Sequence, residues 1–439
     1  MSSPEVLVIG GGPAGVSAAL ELARAGMDVT LCEQGPRLGG AIHRQPDDPT
    51  QSVRVPRSHK QRWQAMSDEL AASTVKVLCR HMFAGIEATG AVLLEDRIHG
   101  RLVTRRPAAL VLAMGAIERV APVPGWHLPG VVTVGGLQVM MKSTGRAPDG
   151  DVLIAGSGPL LVALAAQMAS LGNAPVAVLE RSTRLMSVSV IASLLRAPAY
   201  LWEAAGYLLT LARSGILPRR GAFVTAIAPR DGRLSVTTLD RHGRERQMLV
   251  DRVALHDGLL PNSNGTMAGQ HGPFIVRAGD CREVLGGTAA LADGRLAAHA
   301  VLAQIGKAVP ATKAPAAIMA RERQAQAALN TLFDYSGRDP AKLPDETIIC
   351  RCEGRTLGQL RSMLSADDPV SAREIKLNGR FGMGACQGRF CAEWVASFVA
   401  SQRADGSPPQ ASEIVGSRWP VKPVPISAFI TLPPSSSSE

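Results

Sequence analysis

At 439 residues the chain exceeds one ordinary domain of roughly 100–200 residues, and its 46% hydrophobic against 19% charged residues exclude a mainly disordered polypeptide. Forty-four glycines without a G-x-y repeat exclude collagen. The net charge of +10 is dispersed, with no block of like charges, and with 4% aromatic residues it gives no stacking platform for nucleic acid.

The chain opens on an apolar strand, Val6–Ile9, with no basic leader or cleavage site before it, which predicts a cytoplasmic protein with reduced thiols. The turn Gly10-Gly11-Gly12-Pro13-Ala14-Gly15 follows, then a helix to Ala25 and a strand Asp28–Cys32. Gly10 permits the tight turn, Gly12 lets the backbone approach a pyrophosphate, and Gly15 allows close helix–strand packing. Pro13 and Ala14 start the helix, whose N-terminal amides face the phosphates. Glu33, 18 residues after Gly15, stands where a carboxylate meets adenosine ribose hydroxyls. Ala109–Ala113 reads as a buried strand ended by Met114-Gly115-Ala116.

A second unit with the same logic begins at Asp151: strand Val152–Ala155, turn Gly156-Ser157-Gly158-Pro159, helix Leu160–Leu171, and strand Val176–Leu179 before Glu180. Leu161 replaces the third glycine. A functional NAD site and a nucleotide-shaped turn that donates no hydride, with an adenine nucleotide as candidate occupant, stand as equal alternatives here. No Cys-x-x-Cys lies between the two turns, so a redox disulfide is excluded. Val188–Leu211 is apolar, yet Arg196, Pro198 and Glu203 interrupt it, so it reads as a packed or interfacial helix and not a membrane span. Asp231-Gly232 and His242-Gly243 mark hairpins.

Phe274–Ala278 is a further buried strand, ending in Gly279-Asp280, where two-dinucleotide-domain flavoproteins place an Asp on the flavin ribitol. Gly286-Gly287-Thr288-Ala289 then opens a helix whose dipole supports negative charge on a flavin edge. These features predict FAD at the first turn. Lys307–Pro315 reads as a linker, Ala317–Asn330 as a polar helix, and about 345–402 as a small domain. There Cys350-x-Cys352 and Cys386-x₄-Cys391 offer four thiolates for a tetrahedral site, zinc or iron–sulfur; a flavin in the same chain favours the redox-active choice. Cys32, Cys79 and Cys281 read as small core residues, and His43, His59, His127, His256 and His271 as satisfied core or surface residues. The proline-rich tail is expected to end in disorder, with residues 418–431 extended on a neighbour.

Gly115-Ala116-Ile117-Glu118-Arg119, Pro124-Gly125-Trp126-His127-Leu128-Pro129-Gly130 and Gly382-Met383-Gly384-Ala385-Cys386-Gln387-Gly388-Arg389-Phe390-Cys391 resemble the α subunits of heteromeric amine dehydrogenases. That group holds opine oxidases, D-hydroxyproline dehydrogenase and the B subunit of hydrogen cyanide synthase. The resemblance implies an α/β chain with two Rossmann-type units, disulfide-reductase-like, plus a C-terminal [2Fe–2S] domain like bacterioferritin-associated ferredoxin. The implied boundaries are 1–118 with 251–306 for FAD, 119–250 for the second unit, 307–344 for linker and helix, 345–402 for the cluster, and 403–439 for a tail contacting a partner. Gly10, Gly12, Gly15, Glu33 and Asp280 would be FAD ligands, and Cys350, Cys352, Cys386 and Cys391 cluster ligands. Arg44, in Gly39-Gly40-Ala41-Ile42-His43-Arg44, falls in a segment near the flavin, although Ala41 stands where the family usually has Gln, and 261–272 is short. The resemblance further implies a β subunit similar to glycine and D-amino-acid oxidases that oxidises an amine, a small ferredoxin-like γ subunit, FMN at a subunit interface, and electron delivery peripheral to the inner membrane. The substrate would be an opine, D-hydroxyproline or a related amino or imino acid, or glycine in a hydrogen cyanide synthase. No catalytic base is then needed on this chain. The alternatives are a stand-alone NAD(P)H-dependent flavin reductase and a scaffold subunit with structural zinc.

Overall fold

The computed structural model describes residues 4–48, 50, 51, 53, 55–262, 272–333, 342–364, 370–402, 411–416 and 419–430. Two five-stranded parallel sheets dominate it, alike in four strands but with the fifth, at one edge, drawn from the end of the first unit and from the start of the second. The first runs Phe274–Arg277, Ala109–Leu112, Glu5–Ile9, Asp28–Glu33, Lys76–Cys79; the second runs Val131–Thr133, Arg252–His256, Val152–Gly156, Ala177–Glu180, Arg219–Arg220. Apart from Glu5 their central strands carry no charge, with Val6, Leu7, Val8, Leu153 and Ile154 fully buried, as sheets covered on both faces require. Each unit adds a three-stranded antiparallel sheet, His81–Ile86 with Val92–Asp96 and Arg101–Arg105 in the first, and Phe223–Arg230 with Arg233–Leu239 and Glu245–Val250 in the second. The expected duplication is therefore present in both layers.

The boundary between the units differs from the expected 250/251. Arg252–His256 pairs in parallel with Val152–Gly156, so it belongs to the second sheet, and the first unit resumes only after it. The ribbon Ala116–Glu118 with Leu259–Pro261 carries the chain across in both directions. Within the first unit, helix Pro13–Arg24 lies against helix Gly287–Gln304, and a Cβ on Gly294 would overlap the Ala14 carbonyl. Ser17 Oγ ties the pair by donating to Leu291 O at 2.8 Å.

Val188–Leu211 forms two helices, Val188–Leu195 and Pro198–Arg213, because Pro198 cannot continue the first. The expected linker is shorter than its composition suggests. Helix Lys313–Leu332 starts inside it, with Pro315 in the first turn, where its missing N–H costs nothing. The C-terminal domain packs Ile349, Leu360, Ile375, Phe381 and Phe398 in its own core. It docks on the second unit through Trp126 Nε1 to Ile348 O (2.6 Å), Trp394 Nε1 to Val120 O (3.1 Å) and Arg351 Nη2 to Val131 O (3.0 Å). Residues 419–430, expected on a neighbour, lie on the chain's own first antiparallel sheet, where Ala428 meets Leu93 and Leu102, with Ile426 and Ile430 left exposed. His271, most of the 261–272 stretch and the serine run lie outside the described residues.

Candidate functional site

The first glycine turn is dictated by contact. A Cβ on Gly10 would overlap the Ala113 carbonyl oxygen, and one on Gly15 would overlap the carbonyl oxygen of Gly10. Gly10 also sits at φ +106°, where only glycine is unstrained. Gly12 caps the helix that begins at Pro13 and Ala14. Glu33 accepts from Gly11 N–H at 2.8 Å through one oxygen and from Gly35 N–H at 2.7 Å through the other.

Four further segments converge on this turn. Gly39 N–H donates to Gly11 O at 2.8 Å, and a Cβ on Gly40 would stand 3.0 Å from Gly12 Cα. Ile42, in the same segment, reaches the start of the Gly287 helix, with its Cδ1 3.1 Å from where a Gly287 Cβ would be. Arg44 donates to Gly40 O and Ser143 Oγ, both at 3.4 Å. A Cβ on Gly279 would be 2.7 Å from Ala14 Cβ, which puts Asp280 beside the turn. One Asp280 oxygen accepts from Leu285 N–H (3.1 Å) and Gly286 N–H (3.2 Å), shaping the turn that presents Thr288. Burial pushes the Asp280 carboxyl up, against the pull of those amides. Gly115 lies at φ +70°, its carbonyl accepting from Asn262 N–H at 3.1 Å. The result is a glycine-rich strip of backbone along the carboxyl ends of parallel strands, where doubly wound folds bind nucleotides, and it fits FAD.

One side chain here, Lys142, escaped sequence reasoning, and a second, His43, reads from the sequence as a satisfied core or surface residue. Lys142 is buried on helix Val134–Thr144 and donates to Ala41 O (3.0 Å) and Ile42 O (3.2 Å). Burial, with Arg44 nearby, lowers its pKa to about 8. His43 stacks on Trp63 with centroids 5.0 Å apart, and burial, with His59 adding to it, holds its pKa down at about 4. A lysine inside an apolar helix was the one available signal for Lys142, while the segment Gly39–Arg44 marked the neighbourhood of His43 but not its stacking on Trp63.

The second turn repeats the first with changes. A Cβ on Gly156 would overlap the His256 carbonyl, matching Gly10 against Ala113. Gly158, however, has φ +130° where Gly12 has −79°, and its carbonyl accepts from Leu161 N–H three residues on (3.3 Å), where Gly12 O accepts from Val16 N–H four residues on (3.0 Å). The buried Leu161 side chain at the third-glycine position accompanies this altered entry. Glu180 accepts from Ser157 Oγ (2.6 Å), Gly158 N–H (3.0 Å) and Ser182 N–H (2.9 Å), and burial raises its pKa. Around it the strand ends are internally paired. His256 Nδ1 lies 2.6 Å from Glu118 Oε1, Arg181 pairs with Asp257, and Glu118 also accepts from Gly135 N–H at 2.9 Å. His256 is thus a satisfied core residue.

The four C-terminal cysteines meet in pairs, the Cys350 thiol with Cys391 and Cys352 with Cys386. Among the described residues no group of three or more His, Cys, Asp or Glu side chains stands close enough to hold a metal, so the expected tetrad is drawn up as two couples. The surroundings suit a thiolate at Cys350. The Cys391 hydrogen bond and the N–H groups of Gly382 and Glu353 lower the Cys350 pKa to about 6. Burial raises Cys386 against the amides of Phe390 and Gly388, and the Cys350 contact raises Cys391. A Cβ on Gly384 would overlap that of Cys352, so the two loops approach as closely as backbone allows. Cys32 and Cys281 are buried, with burial pushing Cys32 up to about 12, while Cys79 is half-buried.

A model of the pyridine nucleotide-disulphide oxidoreductase family matches residues 4–275. The A subunit of opine oxidase from Rhizobium meliloti is 31% identical over 437 residues, covering 91% of this chain and 93% of that one. The HcnB subunit of hydrogen cyanide synthase from Pseudomonas protegens is 30% identical over 473 residues, covering 98% and 97%. Among solved structures, the L-proline dehydrogenase from P. horikoshii superposes with a TM-score of 0.65 at 20% identity, covering 97% of this chain and 79% of that one, a likeness of fold.

Proposed function

Because the chain belongs to the pyridine nucleotide-disulphide oxidoreductase family, and within it to the group of opine oxidase A subunits and hydrogen cyanide synthase HcnB, we propose that it is the electron-transfer component of a multi-subunit amine dehydrogenase. Bound to it, FAD would accept a pair of electrons and a [2Fe–2S] cluster would pass them singly. The observation that carries this reading is the convergence of Gly10–Gly15, Gly39–Arg44, Gly279–Asp280 and Gly286–Thr288 on one glycine-rich strip.

In this reading Gly12 and the helix N-terminus receive the pyrophosphate, Glu33 the adenosine ribose, and Asp280 the ribitol. Thr288, at the dipole end of its helix, faces the ring edge. Lys142 fixes the carbonyls of Ala41 and Ile42 beside it, and Arg44 holds Gly40. Cys350, Cys352, Cys386 and Cys391 hold the cluster, with amides of Gly382, Glu353, Gly388 and Phe390 turned to sulfur. The CH–NH or CH–NH₂ donor, an opine, D-hydroxyproline, a related amino or imino acid, or glycine, is oxidised on a β subunit like glycine and D-amino-acid oxidases. FMN at the interface and a ferredoxin-like γ subunit complete the relay, and the complex works peripherally to the inner membrane. The test is co-purification with native partners, a visible spectrum with iron and sulfide analysis, and an amine screen with a dye acceptor. Amine oxidation by the isolated chain, or a colourless zinc protein, overturns the reading.

A further inference from the structure

Helices Val188–Leu195 and Pro198–Arg213 each have an apolar face that the fold leaves uncovered. Inward, Val190 and Leu194 pack on Ala328 and Leu329, while Leu211 joins the core beside helix Pro159–Ser170. Outward, the first helix presents Val188, Ile191 and Leu195, and the second Trp202, Ala205 and Leu209, both at i, i+3, i+7. Val188 is 84% exposed, Leu195 63% and Trp202 80%, and Leu185 and Leu217 extend the surface at its two ends. A water-facing helix carries polar residues there, so this face is built to be covered.

The charges around the face select the cover. Between Arg181 and Arg220 the sequence holds six arginines and one acid, Glu203. Arg181 is taken up by Asp257, and Glu203 accepts from Tyr207 Oη at 2.6 Å. Arg184, Arg196, Arg213 and Arg219 are exposed, and Arg220, also exposed, donates to Ser182 O (3.4 Å) and Arg184 O (2.6 Å). An apolar stripe with tryptophan and leucine beside charged residues that are almost all arginine is the make-up of a helix seated at an anionic bilayer. We propose that this two-helix surface docks the chain on anionic lipid, with Val188, Trp202 and Leu209 at the acyl boundary and the arginines at the lipid phosphates. The docking surface rests on the peripheral-membrane reading above and gives it a place in the fold.

The test floats the full chain with its cofactors on vesicles of phosphatidylcholine, alone or mixed with phosphatidylglycerol. Mixed vesicles should carry it, high salt should release it, and the triple variant V188S/W202S/L209S should lower the bound fraction at least tenfold with circular dichroism and flavin content unchanged. A variant that floats like the parent overturns the surface while the peripheral reading stands; a parent that floats on neither vesicle overturns both. Protection of residues 188–213 from deuterium exchange by a co-purified partner chain, without lipid, makes the face a protein interface and also overturns the proposal.

Discussion

Glu33 and Glu180 end equivalent strands of the two parallel sheets, yet each Glu33 oxygen accepts one backbone N–H, whereas one Glu180 oxygen accepts both the Ser157 hydroxyl and Ser182 N–H. A carboxylate oxygen has two lone pairs, so Glu33 keeps room for ribose hydroxyls on both oxygens and Glu180 does not. Glu33→Gln should raise the FAD Kd by about tenfold, the size of one charge-assisted hydrogen bond, while Glu180→Gln leaves it unchanged. Fluorescence titration of apoprotein with FAD reads both. With one Glu180 oxygen filled and the backbone altered at Gly158, NADH alone should not bleach the bound flavin, and rapid bleaching would restore the flavin-reductase alternative.

Gly15→Ala should abolish flavin retention, because the new Cβ would overlap the Gly10 carbonyl and that backbone has nowhere to go. The reverse change in the second unit, Leu161→Gly, should leave flavin content intact and cost several kcal/mol of stability through the lost leucine. Absorbance ratios of the purified variants and their melting temperatures separate the two effects.

Lys142 gives a pH dependence of defined sign. Its folded pKa is depressed to about 8 from 10.5, so between those values the unfolded chain binds more protons than the folded one. Stability from this group is therefore lowest below pH about 8 and rises toward pH about 10.5, by about 3 kcal/mol at most. Lys142→Met should remove that rise, and denaturant unfolding of both proteins across the window checks it. The same variant strips the donor from Ala41 O and Ile42 O, so it should also weaken FAD binding.

Cys350→Ala or Cys386→Ala should remove iron and sulfide with flavin retained, since the cysteines sit in a domain with its own core. Parent protein should carry about two irons and two sulfides per chain. Gly384→Ala should lower cluster content by pushing the Cys352 loop away. Zinc in place of iron would return the scaffold reading.

What the sequence made legible is what short-range geometry determines. Gly10, Gly12 and Gly15 are readable because their spacing between a strand and a helix is local, with a Cβ at Gly15 overlapping Gly10 O five residues back, and Glu33 because a strand of fixed rise places it. The second unit could be found by self-similarity, but not the reversed backbone at Gly158, which accompanies a leucine three residues on. The strand Arg252–His256 falls in the second unit and not the expected first, because a short apolar strand carries no record of its neighbour. Lys142 with Ala41, and His256 with Glu118, join residues more than a hundred apart, and spacing says nothing about such pairs. The cysteine spacing likewise revealed four thiols but not their pairing as Cys350 with Cys391 and Cys352 with Cys386.

Val421 links two domains that the sequence separates. Its N–H donates to Ala84 O at 2.8 Å on the first unit, and its carbonyl accepts from Arg389 Nη2 at 3.2 Å in the cysteine domain. Arg389 Nη1 in turn donates to Cys386 O at 3.0 Å, and Lys422 Nζ donates to Gln34 Oε1 at 2.6 Å next to Glu33. The strap formed by residues 419–430 thus fastens the thiol loop to the adenosine end of the FAD strip, and it covers Ala84, Leu93 and Leu102. Truncation before Trp419 should uncouple the cysteine domain, splitting one calorimetric transition into two and lowering the first by several degrees. Arg389→Ala should give a milder form of the same split, since it removes one side of the link and leaves the sheet covered. A single unshifted transition in both variants would show that the docking of Trp126 on Ile348 and Trp394 on Val120 holds the domains together without the strap.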